Sequence, residues 1–166
     1  MILRPEFTLQ LAKLLLGGAS INLISPHGQG RRRTVKDLRA VIPSSLTVQY
    51  IDLRLNPDDL QTTVSGCLQQ QNTILLIVHN FNLLQNDVVI ERLNSIKNIS
   101  YISLLCISEN AEDQPSLNAE NIYLPPLTQS QLIAEINYRG LAAEVTTVDR
   151  LLTQPAPYSA LDQLTG

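Results

Sequence analysis

Hydrophobic residues change period repeatedly along this chain, and each change marks a new element. Residues Phe7 to Leu16 place Leu9, Leu11, Leu14, Leu15 and Leu16 at helical spacing, and Gly17-Gly18 ends that segment. "SINLIS" (20–25) reads as a short apolar strand. After a loop with two glycines, Val35, Leu38, Val41 and Ile42 mark one face of a helix that Pro43 stops. "LTVQYIDL" (46–53) alternates like a strand, with Val48, Tyr50 and Asp52 on one side.

The second half continues the alternation. "NPDDLQTTVSGCLQQQ" (56–71) offers Asn56 as a helix cap, Pro57 at the first helical position and two acids in the first turn. "TILLIV" (73–78) is apolar at every position from Ile74 on, as a strand buried on both faces of a parallel sheet must be. Residues 83–97 are helical by period, and "YISLLCIS" (101–108) is a second buried strand. A polar, acidic loop (109–119) leads to the short strand "NIYL" (121–124) and then to a helix, "TQSQLIAEI" (128–136), capped by Thr128. "VTTVDRLL" and "YSALDQLTG" read as two short helices separated by "TQPAP". The expected fold is α/β: a doubly wound, mainly parallel five-stranded sheet with helices on both faces. It occupies residues 1–140, and 141–166 form a short helical tail or the remnant of a lid.

Composition narrows the function. A chain of 166 residues with 44% hydrophobic content can bury a proper core. The net charge of −3 gives no general attraction for nucleic acid, yet five of the 12 basic residues (Arg31, Arg32, Arg33, Lys36, Arg39) fall within nine positions. Cys67 and Cys106 are far apart in apolar contexts, so they read as buried thiols in a reducing compartment and not as metal or redox motifs. "MILRPEFTLQ" is no signal peptide, and the longest aliphatic run, Ile74 to Val78, is too short to span a bilayer. A soluble, cytoplasmic protein without a membrane partner is expected.

The chemistry concentrates in "LISPHGQGRRRTV" (23–35). A loop from a strand into a helix can cradle phosphate with its main-chain amides, because glycine lets the backbone close around an anion. Ser25, Pro26, His27, Gly28, Gln29, Gly30, Arg31, Arg32 and Arg33 have the lengths and the last two glycines of GxxGxGK[ST]. Ser25 replaces the first glycine, Arg31 stands at the lysine position, and Arg32 stands where a hydroxyl would bind magnesium. Arginine keeps the charge, but its planar fork does not replace an ammonium that bridges two phosphates. A turn that uses Gly28 and Gly30 only for chain reversal is the competing reading of the same residues.

Together, the helix before the first strand, the loop "SPHGQGRR", the strands "TILLIVHNF" and "YISLLCIS", and the turn "IYLPPLTQSQLIAEI" resemble the P-loop ATPases of the AAA+ and STAND groups. The resemblance covers about residues 5 to 137. It implies a Walker B position at His79 and Asn80, where the family carries an acid for magnesium and another that polarises water. It also implies a polar sensor at Ser108, with Arg92, Arg139 and Arg150 as candidate arginines for a neighbour's phosphate. Asp52, Asp87, Glu91 and Glu109 are the acids near the expected crevice. No conventional catalytic residue or metal ligand set is carried over. His79 fits a filler for the lost acid, a general base or a pH-sensitive contact.

The function expected from this pattern is a non-catalytic AAA+/STAND-like domain: a protein-interaction, scaffold or regulatory module with a protein partner or self-association. Weak binding of ATP, ADP or phosphate without conventional magnesium coordination stays open. One alternative is anion or nucleic-acid binding through Arg31, Arg32, Arg33, Lys36 and Arg39, although no aromatic residue interleaves with that run. A second is an unorthodox nucleotide hydrolase in which Arg31 does the lysine's work.

Overall fold

A computed structural model describes residues 1–70, 72–96, 99, 101–111 and 117–165. Its elements follow the alternation of the sequence: α1 (Pro5–Leu16), β1 (Ser20–Ile24), α2 (Arg31–Val41), β2 (Thr47–Asp52), α3 (Leu60–Gln69), β3 (Ile74–His79), α4 (Asp87–Ile96), β4 (Ile102–Ser108), β5 (Glu120–Tyr123), α5 (Gln129–Tyr138), α6 (Val145–Leu152) and α7 (Pro157–Thr165). The sheet has five strands in the order β2-β3-β4-β1-β5, and every neighbouring pair is parallel.

The unbroken apolar run of β3 is explained by its place inside the sheet. Ile74, Leu76 and Val78 point to one face, where they meet Val64 and Cys67 of α3 and Val89 and Leu93 of α4. Leu75 and Ile77 point to the other, beside Leu11 and Leu15 of α1 and Val35 and Leu38 of α2. Each of these buried aliphatic side chains contributes roughly 1.5–3 kcal/mol by leaving water. A third cluster joins Leu3, Leu132 and Ile136 to Val148 and Leu151 of α6 and Leu161 of α7, so the last two helices are packed against α5 and the N-terminal segment. Cys67 and Cys106 are buried free thiols.

Two helix starts differ from expectation. α3 begins at Leu60, not after an Asn56 cap. The chain leaving β2 first turns over Asp52, whose carbonyl accepts from the amides of both Leu55 (3.0 Å) and Asn56 (2.8 Å), and Asn56 is spent in that turn. α4 begins at Asp87, not at residue 83. Asn80 takes a left-handed conformation (φ 57°), Phe81–Leu83 form a single 3-10 turn, and the Asn86 side chain then caps α4 by accepting from the amides of Val88 and Val89. The expected C-terminal limit of that helix at residue 97, the last glutamine of the 69–71 cluster, residues 112–116 of the acidic loop and Gly166 lie outside the described residues. Thr128 caps α5 as expected, in a reciprocal capping box with Gln131.

Candidate anion site at the glycine loop

β1 lies between β4 and edge strand β5, so the loop that leaves its carboxyl end opens on the carboxyl rim of the sheet, where ligands of such sheets sit. The Ser25 amide donates to the Ser108 carbonyl at 2.8 Å and fixes the root of the loop. Gly28 and Gly30 both take φ +85°, a conformation costly for other residues. Gly30 caps α2, and its carbonyl accepts from the Thr34 amide and hydroxyl. No side chain caps α2, as the N-cap is a glycine, and first-turn amides of a helix have no partner within it.

Close packing is a second reason for the glycines. α7 presses on the outside of the loop: the Gly28 carbonyl accepts from the amides of Tyr158 (3.1 Å) and Ser159 (3.3 Å). A Cβ on Gly28 would stand 2.3 Å from the Ala156 Cβ, and one on Gly30 would stand 3.1 Å from the Tyr158 ring. Gln29 is held at both ends. Its side-chain amide donates to the Pro155 carbonyl, while its own carbonyl accepts from buried Arg4, which also donates to the Pro125 carbonyl. Burial lowers the Arg4 pKa to about 10.

Behind this contact lies an ion network. Glu135 is buried and accepts from Arg33 at 2.6 Å and from Arg139 at 3.1 Å. Arg33 also pairs with Asp37, and Arg139 pairs with Asp162 and lies over the Tyr158 ring. Burial alone would raise the Glu135 carboxyl, but the hydrogen bonds and charges of the two arginines hold it below its ordinary value.

Between the loop and α7 is a cavity of about 160 Å³, lined among others by Arg31, Arg32 and Arg54 and by Tyr158, Ser159 and Asp162 of α7. Arg31 is only 8% exposed, and its Nη1 has no hydrogen-bond partner. Arg32 extends from the same turn to Asp52, with Nη2 3.0 Å from Oδ2. Asp52, buried at the end of β2, also accepts from Asn80 Nδ2 (2.7 Å) and from the Arg54 amide (2.9 Å). Burial would raise this carboxyl too, but those hydrogen bonds, with His79 and Arg32, hold it low.

His79 sits in register with Asp52 and is fully buried. The Tyr50 hydroxyl lies 2.8 Å from its Nδ1, and burial together with the charge of Arg31 depresses its pKa to about 4, so the ring is neutral at pH 7. Ser108 is equally buried, and its hydroxyl donates to the Asn22 side chain. Asp87, Glu91 and Arg150 are exposed on their helices, and Arg92 donates to Ser65. Glu109 acts on Arg31 only through its charge.

The basic cluster is arranged in a way the linear sequence concealed. Arg32, Lys36 and Arg39 share one face of α2, and with Tyr50 of edge strand β2 they line a groove of about 420 Å³. Tyr50 supplies the aromatic ring that the run 31–39 lacks.

Neither a protein-family model nor a curated protein matches the sequence. Solved structures do. The chain is similar to the Thermotoga maritima RuvB Holliday junction branch migration motor, with TM-score 0.64 and 10% identity over 98% of this chain and 60% of that one. It is similar to a DNA replication initiation factor, with TM-score 0.64 and 10% identity over 96% of this chain and 57% of that one. A Rhizobiales Trip13 gives 0.55 and 14% identity over 98% of this chain and 74% of that one. These neighbours are AAA+ P-loop ATPases. The chain shares their P-loop NTPase-like α/β fold. It spans less than two thirds of the length of the first two.

In an AAA+ fold that handles nucleotide with magnesium, the metal is held by the hydroxyl after the loop lysine and by an acid at the Walker B strand. The resemblance implies Arg32 for the first place and, for the second, the end of β3, where His79 is neutral at pH 7. The carboxylate of Asp52 already accepts three hydrogen bonds, one of them from Arg32. A divalent ion and a guanidinium compete for the same oxygens, so these residues do not fit the metal. Among the described residues, no group of three or more His, Cys, Asp or Glu side chains could hold one.

Proposed function

We propose that this AAA+-type domain does not hydrolyse nucleotide and works as an interaction, scaffold or regulatory module. The observation that carries this reading is the Arg32–Asp52 ion pair, a protein cation set where phosphoryl transfer needs a hydroxyl and a metal. His79 is buried and its pKa is depressed to about 4, which makes it too weak a base to replace the missing acid. The partner is a protein or a second copy of the chain, and exposed Leu55, Leu83 and Val88 beside the carboxyl rim are apolar contacts available to it. Residues 1–140 supply the ATPase-like scaffold, and 141–166 act as a lid remnant that fastens onto it. No helix among the described residues is long and apolar enough to cross a membrane, and a cytoplasmic setting is part of the proposal. The test is ATP turnover with magnesium on the purified chain, where no turnover above background is expected. Rates on the order of 1 s⁻¹ or faster would overturn the reading.

A second reading is favoured by the groove of Arg32, Lys36, Arg39 and Tyr50, which combines phosphate-seeking cations with one stacking ring. It makes the domain a single-stranded nucleic-acid binder. Gel-shift titration at two salt concentrations decides it: affinity must fall steeply with salt and drop further in Tyr50→Ala.

A further inference from the structure

We infer that the groove between the turn after β2 and the start of α4 receives an amphipathic helix of a partner protein, apolar on one side and basic at its flanks. This deepens the reading of the domain as an interaction module, and rests on it, by giving that module a surface and its partner a chemistry. The groove has a volume of about 600 Å³, within the roughly 300–1,000 Å³ of sites that enclose a ligand's anchoring groups. Its floor is Leu53, Leu60 and Val89, all buried members of the core cluster on that face of β3. Pro57, Leu83 and Leu84 form its walls.

The apolar surface continues beyond the groove. Leu83 is 48% exposed, Leu55, in the same turn as Leu53 and Pro57, is 68% exposed, and Val88, next to Val89, is 58% exposed. A single exposed leucine is ordinary on a protein surface. Three aliphatic side chains gathered at one apolar groove mark a surface that a partner covers.

Charge selects the occupant. Asp58 lines the groove, Asp59 follows it, and Asp87 and Glu91 stand on α4, which forms one side. All four are exposed, and among the described residues none of them makes an ion pair. No cation lines the groove. Arg54 lines the cavity between the glycine loop and α7 instead, and Arg92 of α4 donates to Ser65 of α3. An apolar trough with uncompensated acids at its rim complements a segment with leucine-like anchors and lysine or arginine beside them. The form of that segment follows from the lining, which comes from two turns and the helix starts after them, with no strand edge. An extended segment would bring unpaired amides into the groove. A helix arrives with its main chain already hydrogen-bonded and presents anchors at i, i+3 or i+4, and i+7.

The test uses two fluorophore-labelled synthetic helices, one of leucine and lysine in an amphipathic pattern and one with every lysine replaced by glutamate. Fluorescence anisotropy with the purified chain should give a dissociation constant on the order of 10 micromolar for the leucine–lysine helix. The leucine–glutamate helix should bind at least tenfold more weakly. Leu83→Ser combined with Val88→Ser should weaken the leucine–lysine helix tenfold or more. Asp58→Asn combined with Asp87→Asn should weaken it several-fold and flatten its salt dependence. Leu9→Ser, at an exposed leucine of α1 on the other face of the sheet, should leave it unchanged. Every substituted site is exposed, and the melting temperature of each variant checks that its fold is kept. Equal binding of the two helices, no binding of either, or an affinity unchanged by the two serines overturns the inference. So does a dimer of the chain alone, seen in sedimentation, that the two serines dissociate, because a second copy then covers the groove. ATP turnover is the separate outcome that removes the earlier reading.

Discussion

The Tyr158 amide donates to the Gly28 carbonyl at 3.1 Å, so the last helix closes directly on the loop that follows the first strand. The contact leaves no room for a side chain between them. Gly28→Ala would meet the Ala156 Cβ at 2.3 Å in a backbone conformation that alanine rarely adopts. The expected loss is about 2–4 kcal/mol in urea denaturation, from overpacking and strain together. Gly30→Ala, with a Cβ 3.1 Å from the Tyr158 ring, should lose less. Gly140→Ala has the same strained φ but nothing within 4 Å, and should cost only about 1 kcal/mol. That ranking separates packing by α7 from backbone strain.

Glu135 is the acid on which two arginines converge. Glu135→Gln leaves Arg33 and Arg139 short of a buried carboxylate, and a loss of roughly 2–4 kcal/mol at pH 7 is expected. The pH dependence has a definite sign. The folded-state value lies below the ordinary 4.5, so the stabilisation is complete above 4.5 and is lost as pH falls through the lower folded value. Denaturation curves taken at falling pH should therefore begin to converge for the parent chain and the glutamine variant only below 4.5.

His79 titrates in the opposite structural sense. Its folded value of about 4 lies below the ordinary 6.5, so between these values the unfolded chain takes up a proton that the folded chain refuses. Stability should fall as pH drops from 6.5 toward 4, with about 1–2 kcal/mol lost between pH 7 and pH 5 after allowing for screening. His79→Gln should remove that slope. A slope that persists in the glutamine variant belongs to other groups.

Arg32→Thr combined with His79→Asp should create a demand for metal. The double change removes the cation beside Asp52 and sets a second carboxylate in register with it. Two unpaired buried acids should lower stability by roughly 2–4 kcal/mol in EDTA, and millimolar magnesium should recover part of this. Arg32→Thr alone should show no magnesium response.

β2 was legible from its alternation, and β3 and β4 from apolar runs buried on both faces, as inner strands must be. The errors at α3 and α4 share a cause. Asn56-Pro57-Asp58-Asp59 has the composition of a helix start, yet a turn around the Asp52 carbonyl uses the same residues. The glycine loop was visible from Gly28 and Gly30, but not what lies against it. The Ala156–Ser159 contact is made by a backbone carbonyl and amides more than a hundred residues apart, and no spacing encodes it. Asp52 was one of four acids of equal standing in the sequence. Only the pairing of β2 beside β3 brings Asn80, Tyr50 and His79 around the same strand ends and gives Asp52 its role.

The position of β1 also bears on how the chain acquires this shape while it is being synthesised. Ser20 pairs with Leu104 and Ile21 with Glu120, so a strand made early has no neighbour until most of the sheet has emerged from the ribosome. The β2–β3 pair can form first, and the nascent chain must carry Ile21 and Leu23 uncovered in the meantime. Slowing translation after residue 123 should aid folding yield, whereas a pause before residue 102 should favour aggregation.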